Sequence, residues 1–358
     1  MRFTGRSGRT AAALASGALV IGALGACGSS DDDSDTGTGA AAASTGASTA
    51  AAPAATTEAK KVENIAFFGF AGANSFAQAT WAGIQEQAAK DGVKAKFFDP
   101  NFDAAKQVSQ MQNAIASGEY QAFVVQANDG NAVVPVIREA IKAGISVVAE
   151  FTPVGSDYSS IKPQVPGMIF VGEPPVANGT ALGELGVEAC ADLNPCNVAY
   201  LEGNPGLPLD VAREKALEEA LKADPNAKLV SKVVGGYTKA DGLKAGQNVL
   251  QAHPDVNVII GSSQALAGAE QAVGDAGKTG KVLLIGNGGS HQAVAKVKSG
   301  DWFATYATAE KTNGAKAAEI AIDAAEGQKV PETLDTRTLQ EPKITKETAG
   351  SFTGEYDD

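Results

Sequence analysis

From Val62 onward, short apolar runs alternate with stretches whose apolar residues recur at helical spacing. The run Ile65-Ala66-Phe67-Phe68 is short enough for a buried strand. A Gly-rich loop, residues 69–73, follows it. Ala77, Trp81, Ile84 and Ala88 then mark the buried stripe of a helix. Ser75 and Gln78 are spaced as a capping box, which holds the helix start and leaves Asn74 free to face a cleft. Residues 64–84 therefore predict strand, loop, helix. Ligands of open α/β sheets sit in the loops at the carboxyl ends of strands. Asn74 and Phe76 stand there, as the first candidate wall of a small-molecule site.

The pattern repeats. Strands are predicted to begin near Asn64, Lys94, Gln121 and Ile145, a spacing of 24 to 30 residues that suits βαβ units. Helices fall between them, over 76–90, 104–117 and 132–143, with Asp103 as an N-cap and Gly118 and Gly144 as stops. The strand runs are almost continuously apolar, as expected of a parallel sheet covered on both faces. Residues 151–167 break the series with three prolines and two glycines. After the run Met168-Ile169-Phe170-Val171-Gly172 a second series begins. Its strands start near Asn197, Lys228, Val256, Lys281 and Trp302, and its helices cover 176–193, 209–223, 240–251, 265–276 and 292–298. A last strong helix spans 312–326. The tail, 333–345, alternates like a single strand. Two βαβ-repeating halves joined near Val171–Glu173 are the predicted architecture.

The length of 358 residues accommodates two such halves. The net charge is -12, and residues 1–26 carry Arg2, Arg6 and Arg9 with no acid, so the remainder carries -15 (-12 less +3). An acidic body without a Lys/Arg cluster argues against a nucleic-acid partner. Residues 1–26 have a basic start and an Ala/Leu/Val/Ile/Gly stretch, which together read as a secretory signal. The ending Leu24-Gly25-Ala26-Cys27 resembles the lipobox of bacterial lipoproteins. The resemblance implies cleavage before Cys27 and lipid attachment to its thiol, since two acyl chains hold a protein on a membrane where one barely does. Residues 27–60 are mostly Asp, Gly, Ala, Ser and Thr, with a single Pro53 and almost no apolar bulk, the composition of a tether.

Cys190 and Cys196 are the remaining cysteines. Export permits a disulfide between them, and Asn194-Pro195 predicts a turn that would bring them together. A thiolate metal site or two free thiols are the alternatives. Otherwise the sequence offers little reactive chemistry. Its two histidines, His253 and His291, belong to no HExxH motif, and there is no GxSxG or CxxC. Gly277-Lys278-Thr279 lacks the glycine that a P-loop requires five positions earlier and leads into a strand rather than out of one. No nucleophile–base pair can be named, no metal-binding cluster is evident, and no cofactor is called for. An enzyme is not expected.

Several segments carry a resemblance at matching order and spacing: A-N-S-F at Ala73, W-A-G-I-Q at Trp81, D-G-N-A-V at Asp129, L-E-G-N-P-G at Leu201, A-R-E-K-A-L at Ala212, A-H-P-D-V at Ala252 and L-I-G-N-G-G at Leu284. From Val62 to about Lys346 the chain resembles the type I periplasmic sugar-binding proteins of the ribose- and galactose-binding group. The resemblance implies two Rossmann-like lobes with parallel sheets, joined by three crossover strands near 171–173, 307–309 and 337–340. Residues 61–172 with 309–337 would form one lobe, and 173–308 with 338–354 the other. The implied ligand set is Asn74, Phe76, Asp129, Phe151, Thr152, Arg213, Tyr237, Gln264, Asn287 or Gly288, and Thr308. Asp129 suits equally the cap of the helix predicted from 132. Aromatic rings suit the C–H faces of a sugar or polyol, and amide, hydroxyl and guanidinium groups suit its hydroxyls. Three positions depart from the group's pattern. Phe151-Thr152 stands where an Asp-Arg pair is usual, Ser263-Gln264 where Asn-Asp is usual, and Gly288 where an Asp is usual. The site is therefore expected to be less acidic than a pentose site. The implied protein is a monomeric, lipid-anchored, extracytoplasmic solute-binding protein that closes on a small neutral ligand and delivers it to an ABC permease. A sensory protein presenting ligand to a membrane receptor, or a binder of a non-sugar metabolite, is the alternative. A repressor of the lactose type shares the fold, but the secretory signal and the lack of an N-terminal helix-turn-helix count against it.

Overall fold

A computed structural model describes residues 61–358. The predicted secretory signal, the Cys27 lipidation site and the tether, residues 1–60, lie outside the described residues. Strands β1 (Asn64–Phe68), β2 (Lys94–Phe98), β3 (Ala122–Val125), β4 (Ser146–Glu150) and β5 (Ile169–Gly172) form a parallel sheet in the order β2-β1-β3-β4-β5. Helices α1 (Ser75–Asp91), α2 (Ala104–Ser117) and α3 (Val134–Lys142) connect β1 to β4.

The continuous apolar runs resolve into two faces. Ala66, Phe68, Phe123 and Val125 pack with Met111 of α2 and Ile137 of α3. Their neighbours Ile65, Phe67 and Val124 point the other way, onto Ile84 of α1 and Ala317 and Ala321 further along the chain. Successive strand residues alternate in direction, so a sheet buried on both sides needs apolar residues throughout.

The second sheet comprises β6 (Cys196–Glu202), β7 (Ala227–Val234), β8 (Val258–Ser262), β9 (Leu283–Asn287) and β10 (Ala304–Tyr306), in the order β7-β6-β8-β9-β10. Its helices are α4 (Pro175–Ala189), α5 (Pro208–Leu221), α6 (Lys239–Ala252), α7 (Ser263–Asp275) and α8 (His291–Ser299). Helix α9 (Glu310–Ala325) returns to pack on α1 and the first sheet. The chain thus passes between lobes at Glu173–Pro174, again at 307–309, and a third time beyond α9.

That third passage differs from the single alternating strand predicted for 333–345. Thr333–Asp335 (β11) pairs parallel with β5 in the first sheet, and Lys343–Thr345 (β12) pairs antiparallel with β10 in the second. The Asp335 carboxylate accepts the Arg337 N–H and is forked by its guanidinium, which turns the chain out of the first sheet. Alternation alone did not reveal that its two halves serve different sheets. Helix α4 also ends at Ala189 rather than Leu193. Cys190 caps it and is joined to Cys196 by a disulfide (S–S 2.07 Å). Beyond β12 the tail packs on the second lobe. Phe352 and Tyr356 are buried, and the Tyr356 carbonyl accepts the His291 N–H.

Three helix pairs set the lobes' geometry, and each crosses at glycines. A Cβ on Gly83 would lie 1.8 Å from the Lys311 carbonyl oxygen, and one on Gly314 would lie 2.1 Å from that of Thr80, so α1 and α9 touch backbone to backbone. Gly179 meets the Arg213 carbonyl across α4 and α5 in the same way, and Gly242 and Gly268 do so across α6 and α7.

Candidate ligand-binding site

The carboxyl ends of strands from both sheets converge on one cavity. Its lining comes from the loops after β1 (Phe70, Asn74), β2 (Phe102) and β4 (Phe151), from the start of α1 (Phe76) and from α4 (Asn178). The start of α5 (Leu207, Leu209, Arg213), the loop after β7 (Tyr237), the start of α7 (Gln264), the end of β9 (Asn287, Gly288) and the second crossover (Thr308) complete it. The interior leaves about 50 Å³ for the centres of water molecules. One water needs roughly 10–15 Å³ of such room, so the space suits several waters or one small molecule.

The first lobe contributes a wall of phenyl rings. Phe76 and Phe151 meet edge to face with centroids 4.7 Å apart, and Phe70 lies 6.2 Å from Phe151 at 90°. Phe102 and Phe151 hold φ of 60° and 62°. Such left-handed backbone is uncommon for a bulky residue and persists where surrounding structure enforces it, often at functional sites. Asn74 corrects the capping-box expectation. It is itself the N-cap of α1, its Oδ1 accepting the Ala77 N–H at 2.9 Å, so only its amide NH₂ remains for the cavity. A short Asn side chain just before the helix competes directly with Ser75 for that role. Freed from capping, the Ser75 hydroxyl accepts a hydrogen bond from Gln264 Nε2 across the cleft, at 3.0 Å. The Gln78 amide instead donates to the Gly72 carbonyl.

The second lobe contributes polar groups held by one another. Arg213 Nη1 donates to Asp210 Oδ1 at 2.8 Å, and both residues are buried. The Tyr237 hydroxyl donates to the same oxygen at 2.5 Å, and the Asn204 N–H to the other. Burial raises the Asp210 pKa, against the pull of Arg213 and its hydrogen-bond donors. Burial opposes the Arg213 charge, but the paired Asp210 carboxylate favours it and its pKa rises. The pKa of Tyr237 is pushed well up, chiefly by burial and then by Asp210, so the phenol stays neutral. Arg213 Nε is buried without a partner. Asn178 and Asn287 exchange reciprocal amide hydrogen bonds at 3.1 and 3.2 Å. Gly288 has φ of 153°, and a Cβ there would meet Ser263 Oγ at 2.3 Å, so no side chain fits at that position as packed.

Eight of the ten sequence candidates therefore surround one cavity: Asn74, Phe76, Phe151, Arg213, Tyr237, Gln264, Asn287 and Thr308. Asp129 and Thr152 do not line it. Asp129 is spent on a turn, its Oδ1 accepting the Asn131 and Ala132 N–H groups, which delays the α3 start to Val134. Thr152, the next residue after Phe151, is buried and does not reach the lining. Phe70, Phe102, Asn178, Leu207 and Leu209 escaped the sequence reading. The strand-end rule that singled out Asn74 applies equally to Phe70 and to Phe102 after β2, whereas Asn178 lies within a helix and has no local signature. No carboxylate lines the cavity, and Arg213 is its one cation, already paired. Among the described residues, no group of three or more His, Cys, Asp or Glu side chains is placed to hold a metal, and no helix is long and apolar enough to cross a membrane.

Comparison with known proteins agrees with this arrangement. Residues 65–329 match the model of the periplasmic binding protein domain. The chain belongs to the periplasmic binding protein family. Its members are ligand-binding transport proteins rather than enzymes. The chain is 28% identical to the ribose import binding protein of Bacillus subtilis (strain 168), over 73% of this chain and 81% of that one. It is 30% identical to the D-allose-binding periplasmic protein of Escherichia coli (strain K12), over 69% and 80%. Among solved structures, a Mycobacterium smegmatis ABC transporter solute-binding protein with bound glycerol shares the fold, with a TM-score of 0.70 at 24% identity, covering 84% of this chain and 100% of that one. So does the Caulobacter myo-inositol binding protein, with a TM-score of 0.69 at 23% identity, covering 81% and 96%.

Three buried carboxylates lie outside the cavity lining. Glu150 closes β4, Glu173 begins the first crossover and Glu310 begins α9, all buried. Burial raises the pKa of each, and that of Glu173 reaches about 7 despite the Tyr306 hydroxyl donated to it at 2.6 Å.

Proposed function

We propose that this protein is the extracytoplasmic solute-binding component of an ABC importer and captures a small neutral polyhydroxylated ligand, a sugar, polyol or derivative, between its lobes. One observation carries the reading: a single cavity is walled by rings from one lobe and by amides and a guanidinium from the other. Such an arrangement fits a molecule with C–H faces and hydroxyl edges. Family membership and relatives named for ribose and allose support it. Closure is favoured to the extent that ligand touches both lobes at once. The ligand-contacting residues are Asn74, Phe76, Phe151, Arg213, Tyr237, Gln264, Asn287 and Thr308. The bodies that close are residues 61–172 with 309–337 and residues 173–308 with 338–354. The protein acts as a monomer, held to the membrane by lipid on Cys27, beside a permease that receives the ligand.

A thermal-shift screen over sugars, polyols, nucleosides and small acids tests the reading. A specific ligand raises the unfolding midpoint as its concentration exceeds its Kd. Sugars or polyols are expected to give that shift, and a response confined to acids or nucleosides, or none, refutes it. The anchor is tested separately, since Cys27→Ala should move the protein from the membrane fraction to the soluble one.

A further inference from the structure

We infer that the ligand is a deoxygenated or C-methyl sugar, or an equivalent polyol derivative, whose apolar end seats in a corner built by Phe70, Phe76, Phe151 and Leu209. The inference rests on the sugar-or-polyol reading and narrows it.

A flat sugar face needs one ring to stack on. Here three rings stand at steep mutual angles, 45° between Phe70 and Phe76, 64° between Phe76 and Phe151, and 90° between Phe70 and Phe151. Rings so inclined form a concave corner, distinct from the near-parallel series Phe70, Phe102 and Tyr237 (20° and 13°), which offers the flat faces. Leu209, from the opposite lobe, belongs to the same apolar cluster and lines the same cavity. None of the four side chains carries a hydrogen-bonding atom. Thr152, the next residue after Phe151, is buried and is not among the cavity lining.

The hydrogen-bonding groups are gathered elsewhere. Arg213, Asn178, Asn287 and Gln264 all belong to the second lobe, the Asn74 amide is the first lobe's one such side chain on the cavity, and Arg213 retains a buried Nε–H without an acceptor. The two walls thus ask different things of one molecule. Its oxygens face the second lobe, and its opposite end presents methyl or methylene. A hydroxyl pressed into the corner would lose its water without gaining a partner, at a cost of roughly tenfold to a hundredfold in affinity.

Calorimetric titration of the soluble mature chain with three matched pairs tests this: D-fucose against D-galactose, L-rhamnose against L-mannose, and 5-deoxy-D-ribose against D-ribose. In the pair that binds best, the deoxy sugar is expected to bind at least tenfold tighter than its parent. Leu209→Asn, which offers the corner an amide, should bring that ratio toward one. Equal affinities, or tighter binding of the parent, overturn the inference and leave the sugar-binding reading standing. So does binding of other polyols with no member of the three pairs bound. Failure of every sugar and polyol to bind removes both.

Discussion

Glu173 offers a direct measure of the energy stored where the lobes join. Its carboxyl begins the first crossover, is 2% exposed and accepts the Tyr306 hydroxyl. Burial raises its pKa from 4.5 to about 7, with Arg213 and Arg337 pulling the other way. A carboxyl whose folded pKa exceeds its unfolded one keeps its proton in the native state and releases it on unfolding. The stability it contributes is complete below about pH 4.5 and is lost as pH rises through about 7. A shift of that size corresponds to about 3 kcal/mol in full, most of it lost between pH 5 and pH 8. Glu173→Gln keeps an acceptor for Tyr306 but has no proton to lose. Thermal unfolding of both proteins at pH 5, 6, 7 and 8 isolates the effect, because other titrating groups cancel in the difference. The wild-type midpoint should fall relative to the variant by roughly 5 °C across that range. Parallel curves would refute the assignment of a held proton to Glu173.

Arg213→Ala should abolish measurable ligand binding by calorimetry and destabilise the fold by about 3–5 kcal/mol in denaturant, because it strands the buried Asp210. Adding Asp210→Asn should recover much of the stability and none of the binding. Gly83→Val should cost about 3 kcal/mol or more in chemical denaturation, since the α1 and α9 backbones leave no room for a Cβ. Gly350→Ala, where a Cβ meets nothing within 4 Å, should change stability by no more than about 0.5 kcal/mol. Removing the disulfide with Cys190→Ala and Cys196→Ala together should cost about 2 kcal/mol, because the loop it closes is short.

The architecture was legible along the chain because its signals are local. The runs near Asn64, Gln121 and Ile145 are apolar throughout because their sheet is covered on both faces, and that requirement is met residue by residue. Strand-end loops are likewise local, which is why Asn74 and Phe76 could be named, whereas Phe151 was named through the family resemblance. Asn74 shows the limit of local reading. Two capping patterns overlap at Asn74 and Ser75, and packing decided between them by giving the cap to Asn74 and turning Ser75 across the cleft to Gln264.

What only the tertiary structure decided depends on partners far away in sequence. The tail's alternation fits one strand or two, and pairing with β5 and then β10 split it between sheets. Asp129 and Asn178 are both short polar residues near helix starts. One is consumed by its own turn, while the other meets Asn287 at 109 positions' remove. The net charge said nothing of the cavity, because charge is counted along the chain but felt in space; the expectation of a less acidic site came from Phe151, Gln264 and Gly288, where the resembled group usually carries charged residues or Asp. The sequence by itself determined the two lobes and the loops that face each other. The fold determined which side chains in those loops remain unpaired, and so what kind of molecule the walls can hold.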